Sequence, residues 1–387
     1  MQVLMISDVY FPRINGVSTS IETFRESLLA DGIEVTLVAP DYPGAAGHES
    51  ILRIASRRVP FDPEDRLMKR AELLRLPERL QGRHFDLVHV QTPFVAHYAG
   101  LRFAGQRGIP CLTTYHTHFE EYFHHYLPFL PASLTRFVAR HLARSQCNAL
   151  DAVVVPSQAM HSALTDYGVT RPIHVLPTGI PLEKFATGDR GSFRGRHGIA
   201  ADAPLALYVG RVAHEKNLGF LLQALKQASA ILPELRLVIA GEGPALAGLR
   251  QQAAEAGLGE CVCFVGYLDR ERELLDCYAA ADLFVFASKT ETQGLVLLEA
   301  MAMGVPALGI PAMGAADILG PQRGGICAPD DVAGFGARMA ELLADREGLA
   351  IHGAAAREFA AEWAAPQRAQ QLAGLYNHLT NRTARQA

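Results

Sequence analysis

The sequence predicts an α/β protein made of two doubly wound, Rossmann-like lobes, and three observations predict it. Short apolar runs of strand length alternate with segments of helical periodicity along nearly the whole chain. The alternation occurs twice, on either side of a stretch rich in Gly and charge. The length, 387 residues, favours two or three domains over one.

In the first half the strand-like runs are residues 3–7, 35–40, 87–91, 111–116, 152–157 and 173–177, with a helix over 18–30. Most of these runs end at Pro, Ser or a polar residue, as buried parallel strands do when helices cover both faces of a sheet. The second half repeats the plan with strands at 205–210, 236–241, 261–267, 283–288 and 306–310 and helices at 218–232 and 295–303. Residues 178–203 are aperiodic and read as the linker. The chain is thus expected to divide into a lobe over 1–185 that binds the acceptor, a lobe over 186–365 that binds the donor, and a C-terminal helix and tail over 366–387. That helix is read over 366–379, docking on the first lobe, with a frayed end beyond it. Two such lobes bind ligands at the carboxyl ends of their strands, and the ligand is expected in an interlobe cleft where those ends face each other. The residues just past each strand therefore carry the functional reading.

Bulk chemistry excludes several classes. Thirty-six Lys and Arg against 40 Asp and Glu leave a formal net charge of −4, which gives no global reason to expect nucleic acid. Cysteines 111, 147, 261, 263, 277 and 327 form no C-x-x-C pair and read as buried or free thiols of a reducing compartment. The N-terminal MQVLMISDVY lacks the basic leader of a signal peptide, and no run of about 18 apolar residues occurs. The expected location is the cytoplasm, with peripheral contact at the inner face of the cell membrane left open.

Past the strand at 205–210 comes Gly210-Arg211-Val212-Ala213-His214-Glu215-Lys216-Asn217. Gly210 permits a tight turn, and two cations offered at one strand end suit a diphosphate, Arg211 as a fork and Lys216 as a point charge. The rival reading is a solvated loop whose cations pair with Glu215 or Glu242. Past the strand at 283–288 comes Glu291-Thr292-Gln293-Gly294, leading into Leu295-Val296 and, further on, Glu299. Gly294 lets the backbone approach a ligand, and the unpaired amides that follow, at the positive end of a helix, hold phosphate oxygens. Carboxylates repel phosphate, so Glu291 is read as an acceptor for hexose hydroxyls and Glu299 for ribose hydroxyls. The alternative is that both simply favour the helix N-terminus electrostatically.

In the first half Asn15-Gly16 marks a turn at a helix start, where Gly16 again permits close backbone approach. Thr114-Tyr115-His116-Thr117-His118 ends another strand, and His116 there can hydrogen-bond a reacting sugar or orient an acceptor. Metal binding by His116 and His118 is a rival that lacks a third ligand. Arg136, Arg140 and Arg144 form a helical stripe beside Leu134, Phe137, Val138 and Leu142, a pattern that binds anionic lipid headgroups unless the apolar face lies in the core. No G-x-G-x-x-G follows the first strand, and neither a P-loop nor an Asp-x-Asp is present. No nicotinamide cofactor, P-loop nucleotide site or required metal is expected.

Taken together, Asn15-Gly16-Val17-Ser18, Tyr115-His116-Thr117-His118, Gly210-Arg211 with Lys216, and Glu291 through Glu299 resemble glycosyltransferase family 4, retaining enzymes of the GT-B fold. The resemblance spans nearly the whole chain. It implies that Arg211 and Lys216 bind the donor diphosphate, that Glu291 meets the sugar and Glu299 the ribose, and that His116 lies beside the donor sugar. It also implies that the Gly16 loop closes over phosphates and acceptor. Within the family the two longer motifs look most like diacylglycerol glucosyltransferases, and also like mannosyltransferases acting on lipid-linked acceptors. The implied partners are a nucleotide sugar as substrate, UDP-glucose first and GDP-mannose second, and a membrane lipid such as diacylglycerol. A nucleotide-sugar epimerase and a two-lobed solute-binding protein are the rival classes.

Overall fold

The computed structural model describes residues 1–45, 47–59, 62–117 and 132–384. The chain divides into two compact units, one of Met1–Gly179 with Ala365–Ala387 and one of Ile180–Ala364.

The first unit is built on a parallel sheet of β1 (Gln2–Ile6), β2 (Glu34–Pro40), β3 (Ile51–Ile54), β6 (Leu87–Val90), β7 (Cys111–Thr114), β8 (Ala152–Val155) and β9 (Ile173–Val175). Its spatial order is β3-β2-β1-β6-β7-β8-β9, and β4 (Ser56–Val59) and β5 (Asp62–Met68) form a separate antiparallel hairpin. Alternation along β1 explains why the sheet is covered on both faces. Val3 and Met5 enter one core cluster, Leu4 and Ile6 the other. The first cluster takes in Phe24 and Leu28 of the Gly16–Ala30 helix and Leu372, Leu375, Tyr376 and Leu379 of the Ala365–Ala384 helix. The last helix thus belongs to this unit, and it runs beyond residue 379, where fraying was expected. Its Tyr376 is fully buried, and the hydroxyl is satisfied by His89 Nδ1 at 2.6 Å.

The second unit is a parallel sheet in the order β12-β11-β10-β13-β14-β15. Its strands are β10 (Leu205–Val209), β11 (Arg236–Ala240), β12 (Val262–Gly266), β13 (Leu283–Phe286), β14 (Ala307–Gly309) and β15 (Gly325–Cys327). The stretch read as a linker is structured. Residues from Ile180 onward belong to the second unit, and Arg190–Arg196 is a helix capped by Asp189, whose side chain accepts from the Ser192 amide. Phe193 and Arg194 are buried there. The Arg194 guanidinium replaces water with the carbonyls of Ala200, Ala203 and Ala280 and the carboxylate of Asp282. Aperiodicity hid this helix because one buried aromatic and one buried arginine make no apolar stripe. The six cysteines are free thiols, with Cys111, Cys147 and Cys277 buried. Among the described residues no helix is long and apolar enough to cross a membrane.

Candidate active site

In the second unit β10 and β13 are neighbours, yet the chain leaves them toward opposite sides of the sheet. A parallel sheet opens a crevice at such a switch point, so the loops beyond these two strands face a common space. The loop beyond β10 carries Gly210, Arg211 and Lys216, and the loop beyond β13 carries Glu291 to Gly294. Lys216 sits on the short turn His214–Lys216, and Asn217 behind it, in a left-handed conformation, donates from its side chain to Ala287 O at 3.2 Å. These contacts bring Lys216 Nζ to 2.6 Å from Glu291 Oε2. Burial alone would lower the lysine's pKa, but the Glu291 carboxylate overrides it and holds the ammonium well above the ordinary range. The lysine's direct ion-pair partner is Glu291, with Glu215 adding a smaller attraction from nearby.

Arg211 lies five residues earlier in the loop, half-buried, with its carbonyl accepting from the Tyr208 hydroxyl at 3.2 Å. The segment runs hard against the loop beyond β11. Val212 N donates to Glu242 O at 2.8 Å, and a Cβ on Gly241 would stand 1.9 Å from Gly210 O. Gly241 and Gly243 are glycines for this close packing, a reason distinct from dinucleotide binding.

The Glu291 loop is pinned by Gly314 N, which donates to Glu291 O at 2.8 Å. Thr292 is half-buried and Gln293 buried. Gly294, at φ +92°, starts the helix Leu295–Ala302, which has no side-chain cap. A helix start of this kind leaves its first amides, those of Leu295 and Val296, to an outside acceptor. Glu299 lies one turn further in and is buried. Its Oε1 accepts from Arg270 Nη2 at 2.6 Å and its Oε2 from the Tyr278 hydroxyl at 2.8 Å. Neither partner was singled out from sequence, although Arg270 stands just past β12, where strand-end residues deserve reading.

In the first unit the switch point lies between β1 and β6. Asp8, past β1, accepts from Thr92 Oγ1 at 2.8 Å and from the Ala96 amide at 3.2 Å. It thereby caps the Val95–Arg107 helix from a distant strand, and burial pushes its carboxyl up to about 7. Asn15 caps the Gly16–Ala30 helix, its side chain accepting from Ser18 N. A Cβ on Gly16 would meet nothing within 4 Å, so the helix start is open. His116, past β7, is half-buried, and its Nε2 lies 2.9 Å from Oε1 of the buried Gln91. Burial pushes its imidazole down to about 4, so it is neutral at ordinary pH. His118 lies outside the described residues.

The helix Ala132–Asn148 buries Thr135, Ala139, Ala143, Gln146 and Cys147 and leaves its large apolar residues out. Phe137 is 67% exposed, and Leu134, Val138 and Leu142 are exposed beside it. These four residues therefore do not lie in the core. Arg136, Arg140 and Arg144 are all exposed. The Arg140 guanidinium lies over the Tyr167 ring, 5.3 Å from its centroid, and the Arg144 side chain runs along Gly168.

Comparison with known proteins gives consistent relationships. The family model "Glycosyltransferase Family 4" matches residues 14–184 and "Glycosyl transferases group 1" matches residues 189–359. The chain is 32% identical over 317 residues to the alpha-monoglucosyldiacylglycerol synthase of Streptococcus pneumoniae, which covers 80% of this chain and 70% of that protein. It is 29% identical over 396 residues to a GDP-mannose-dependent alpha-mannosyltransferase of Mycobacterium tuberculosis, covering 100% of this chain and 99% of that one. Among solved structures, Anabaena HepE in complex with UDP superposes with a TM-score of 0.76 at 18% identity, over 98% of this chain and 100% of that one. The last likeness establishes the GT-B fold.

Proposed function

We propose a function from one premise: this chain belongs to glycosyltransferase family 4 and is a hexosyltransferase. It carries glucose from UDP-glucose to a membrane lipid such as diacylglycerol, with retention of configuration. The observation that carries this reading is the kinship with the pneumococcal synthase, whose name states a glucosylated diacylglycerol product. The charge arrangement beyond β10 and β13 supports the chemistry.

In this reading Arg211 and Lys216 take the donor diphosphate, and the amides of Leu295 and Val296 add to them where Gly210 and Gly294 let the backbone come close. An ammonium has three donors, so Lys216 keeps Glu291 while reaching a phosphate oxygen. Glu291 accepts from hexose hydroxyls and Glu299 from ribose hydroxyls, Thr292 and Gln293 line the same loop, and His116 and Gly16 serve sugar and acceptor. As the anomeric bond breaks toward an oxocarbenium-like state, negative charge grows on the leaving diphosphate. Each preorganised donor then contributes roughly 3–4 kcal/mol. The acceptor hydroxyl attacks the face the diphosphate leaves and gives its proton to the departing phosphate oxygen, which retains configuration. The reading includes no metal or cofactor, because Arg211, Lys216 and the helix amides supply the countercharge. The exposed apolar and arginine face of Ala132–Asn148 supports peripheral contact with an anionic membrane.

A second reading, transfer of mannose from GDP-mannose, is favoured by one observation: the likeness to the mycobacterial mannosyltransferase extends over the full chain. The test is nucleotide release from UDP-glucose and from GDP-mannose, with and without diacylglycerol in anionic vesicles, with the glycolipid's anomeric centre read by NMR. Lipid-dependent release from UDP-glucose and an α-linked product are expected. Preference for GDP-mannose selects the second reading, and interconversion of the donor without acceptor, as an epimerase would give, overturns both.

A further inference from the structure

Glu299 is a charged group in an unusual place, and the way it is held has a consequence for specificity. Its side chain is 4% exposed, and a carboxylate taken from water needs both a countercharge and hydrogen bonds to stay ionised. Arg270 supplies the countercharge at 2.6 Å on Oε1, and Tyr278 supplies a hydroxyl at 2.8 Å on Oε2. Tyr278 is fully buried in the Glu273–Ala280 helix. Burial first, and then Glu299, raises its pKa well above the ordinary value, so it donates at any working pH. Arg270 lies on the loop beyond β12 and reaches the helix that follows β13, past the two intervening strands of the sheet. Its loop is fixed by Asp269, whose Oδ1 accepts from the amides of Glu271 at 3.0 Å and Arg272 at 2.8 Å.

Held at both oxygens, the carboxylate cannot rotate, and each oxygen keeps a lone-pair site. We propose that Arg270 and Tyr278 are the specificity-determining pair of the donor site, positioning residues that hold Glu299 as an oriented acceptor for the ribose hydroxyls. The proposal rests on the assignment of Glu299 to the ribose made above. A site built to accept a hydroxyl rejects the analogue that lacks it, because the buried acceptor is then left unpaired. Arg270 therefore decides how strongly a ribonucleotide is preferred over its deoxy counterpart.

The experiment is calorimetric binding to the full-length protein of UDP or GDP, whichever binds tighter, against the 2′-deoxy and 3′-deoxy forms of the same nucleotide. It compares wild type with Arg270→Met, Arg270→Lys, Tyr278→Phe and Glu299→Gln, each checked by thermal melting. Wild type is expected to prefer the ribonucleotide by about tenfold to hundredfold over at least one deoxy form. Arg270→Met should bring that ratio near one, Arg270→Lys should restore part of it, and Tyr278→Phe should lower it by a smaller factor. Should Arg270→Met be too unstable to fold, Tyr278→Phe and Arg270→Lys decide the matter through the same ratio. A ratio kept at the wild-type value in the folded Arg270 and Tyr278 variants overturns the proposal while leaving Glu299 on the ribose. No ribose preference in wild type, with Glu299→Gln binding as tightly as wild type, removes the ribose assignment itself and the proposal with it.

Discussion

Lys216 Nζ and Glu291 Oε2, 75 residues apart in sequence, stand 2.6 Å apart and join the loops beyond two neighbouring strands. The pair holds the lysine's pKa above its ordinary value, so the sign of its pH dependence is fixed. Its contribution is complete below the unfolded lysine pKa, about 10.4, and is lost only as pH rises through the higher folded value. At working pH Lys216 is always charged. Glu291→Gln should leave that charge in place and remove the negative charge that partly offsets it beside the diphosphate. We predict UDP affinity equal to or tighter than wild type, with kcat down by about tenfold to hundredfold. Weaker UDP binding in calorimetry would sink the idea that the carboxylate serves the hexose.

Two glycines should separate fold from function. Gly241 has φ +138° and a Cβ there meets Gly210 O at 1.9 Å, so Gly241→Ala should cost about 2–5 kcal/mol through strain and overpacking. Gly16 has open space and begins a helix, so Gly16→Ala should change stability by no more than about 0.5 kcal/mol. Its turnover should nevertheless fall by about tenfold. Full activity in Gly16→Ala, with steady-state rates matching wild type, contradicts a ligand at this helix start.

His116 is neutral because burial pushes its pKa to about 4, and Gln91 fixes one ring nitrogen. Its ionisation therefore falls below the range in which the enzyme is assayed. The pH profile of kcat/KM should show no step from His116 between about pH 6 and 8, and His116→Asn should lower the rate by about tenfold without changing the profile's shape. A step near pH 6.5 that disappears in His116→Asn would show that the ring titrates in the assay range.

The arginines of Ala132–Asn148 are held differently. Arg140 is stacked on Tyr167 and Arg144 lies along Gly168, while Phe137 is the most exposed apolar group of the helix. Replacing Arg136, Arg140 and Arg144 with Ser should weaken binding to anionic vesicles, read by co-sedimentation, by about a hundredfold at low salt, each arginine near the surface contributing about 1 kcal/mol. Phe137→Ser should reduce it further. Equal sedimentation of wild type and triple variant refutes membrane contact through this face.

Much of this was legible before any coordinates. The strands at 205–210 and 283–288 end within two residues of β10 and β13, because buried parallel strands are continuous apolar runs closed by Gly or Ser. Reading the residues past each strand found Lys216 and Glu291 separately, but only the strand order brings them together, and sequence spacing holds no record of that order. The short strands β3 and β15, at Ile51–Ile54 and Gly325–Cys327, were missed, since Arg53 interrupts the first and Gly324-Gly325 opens the second, so neither reads as an apolar run. Arg270 and Gln91 were missed for another reason: each acts through a second side chain, Glu299 or His116, and nothing in its own neighbourhood announces the partner.

The account stands most directly on Lys216 as a cation for the leaving diphosphate. The decisive measurement is kcat for the preferred nucleotide sugar in Lys216→Ala, with folding checked by thermal melting. We predict a loss of about 10²–10³ in kcat with the melting transition retained. Turnover within twofold of wild type by the folded variant would contradict it.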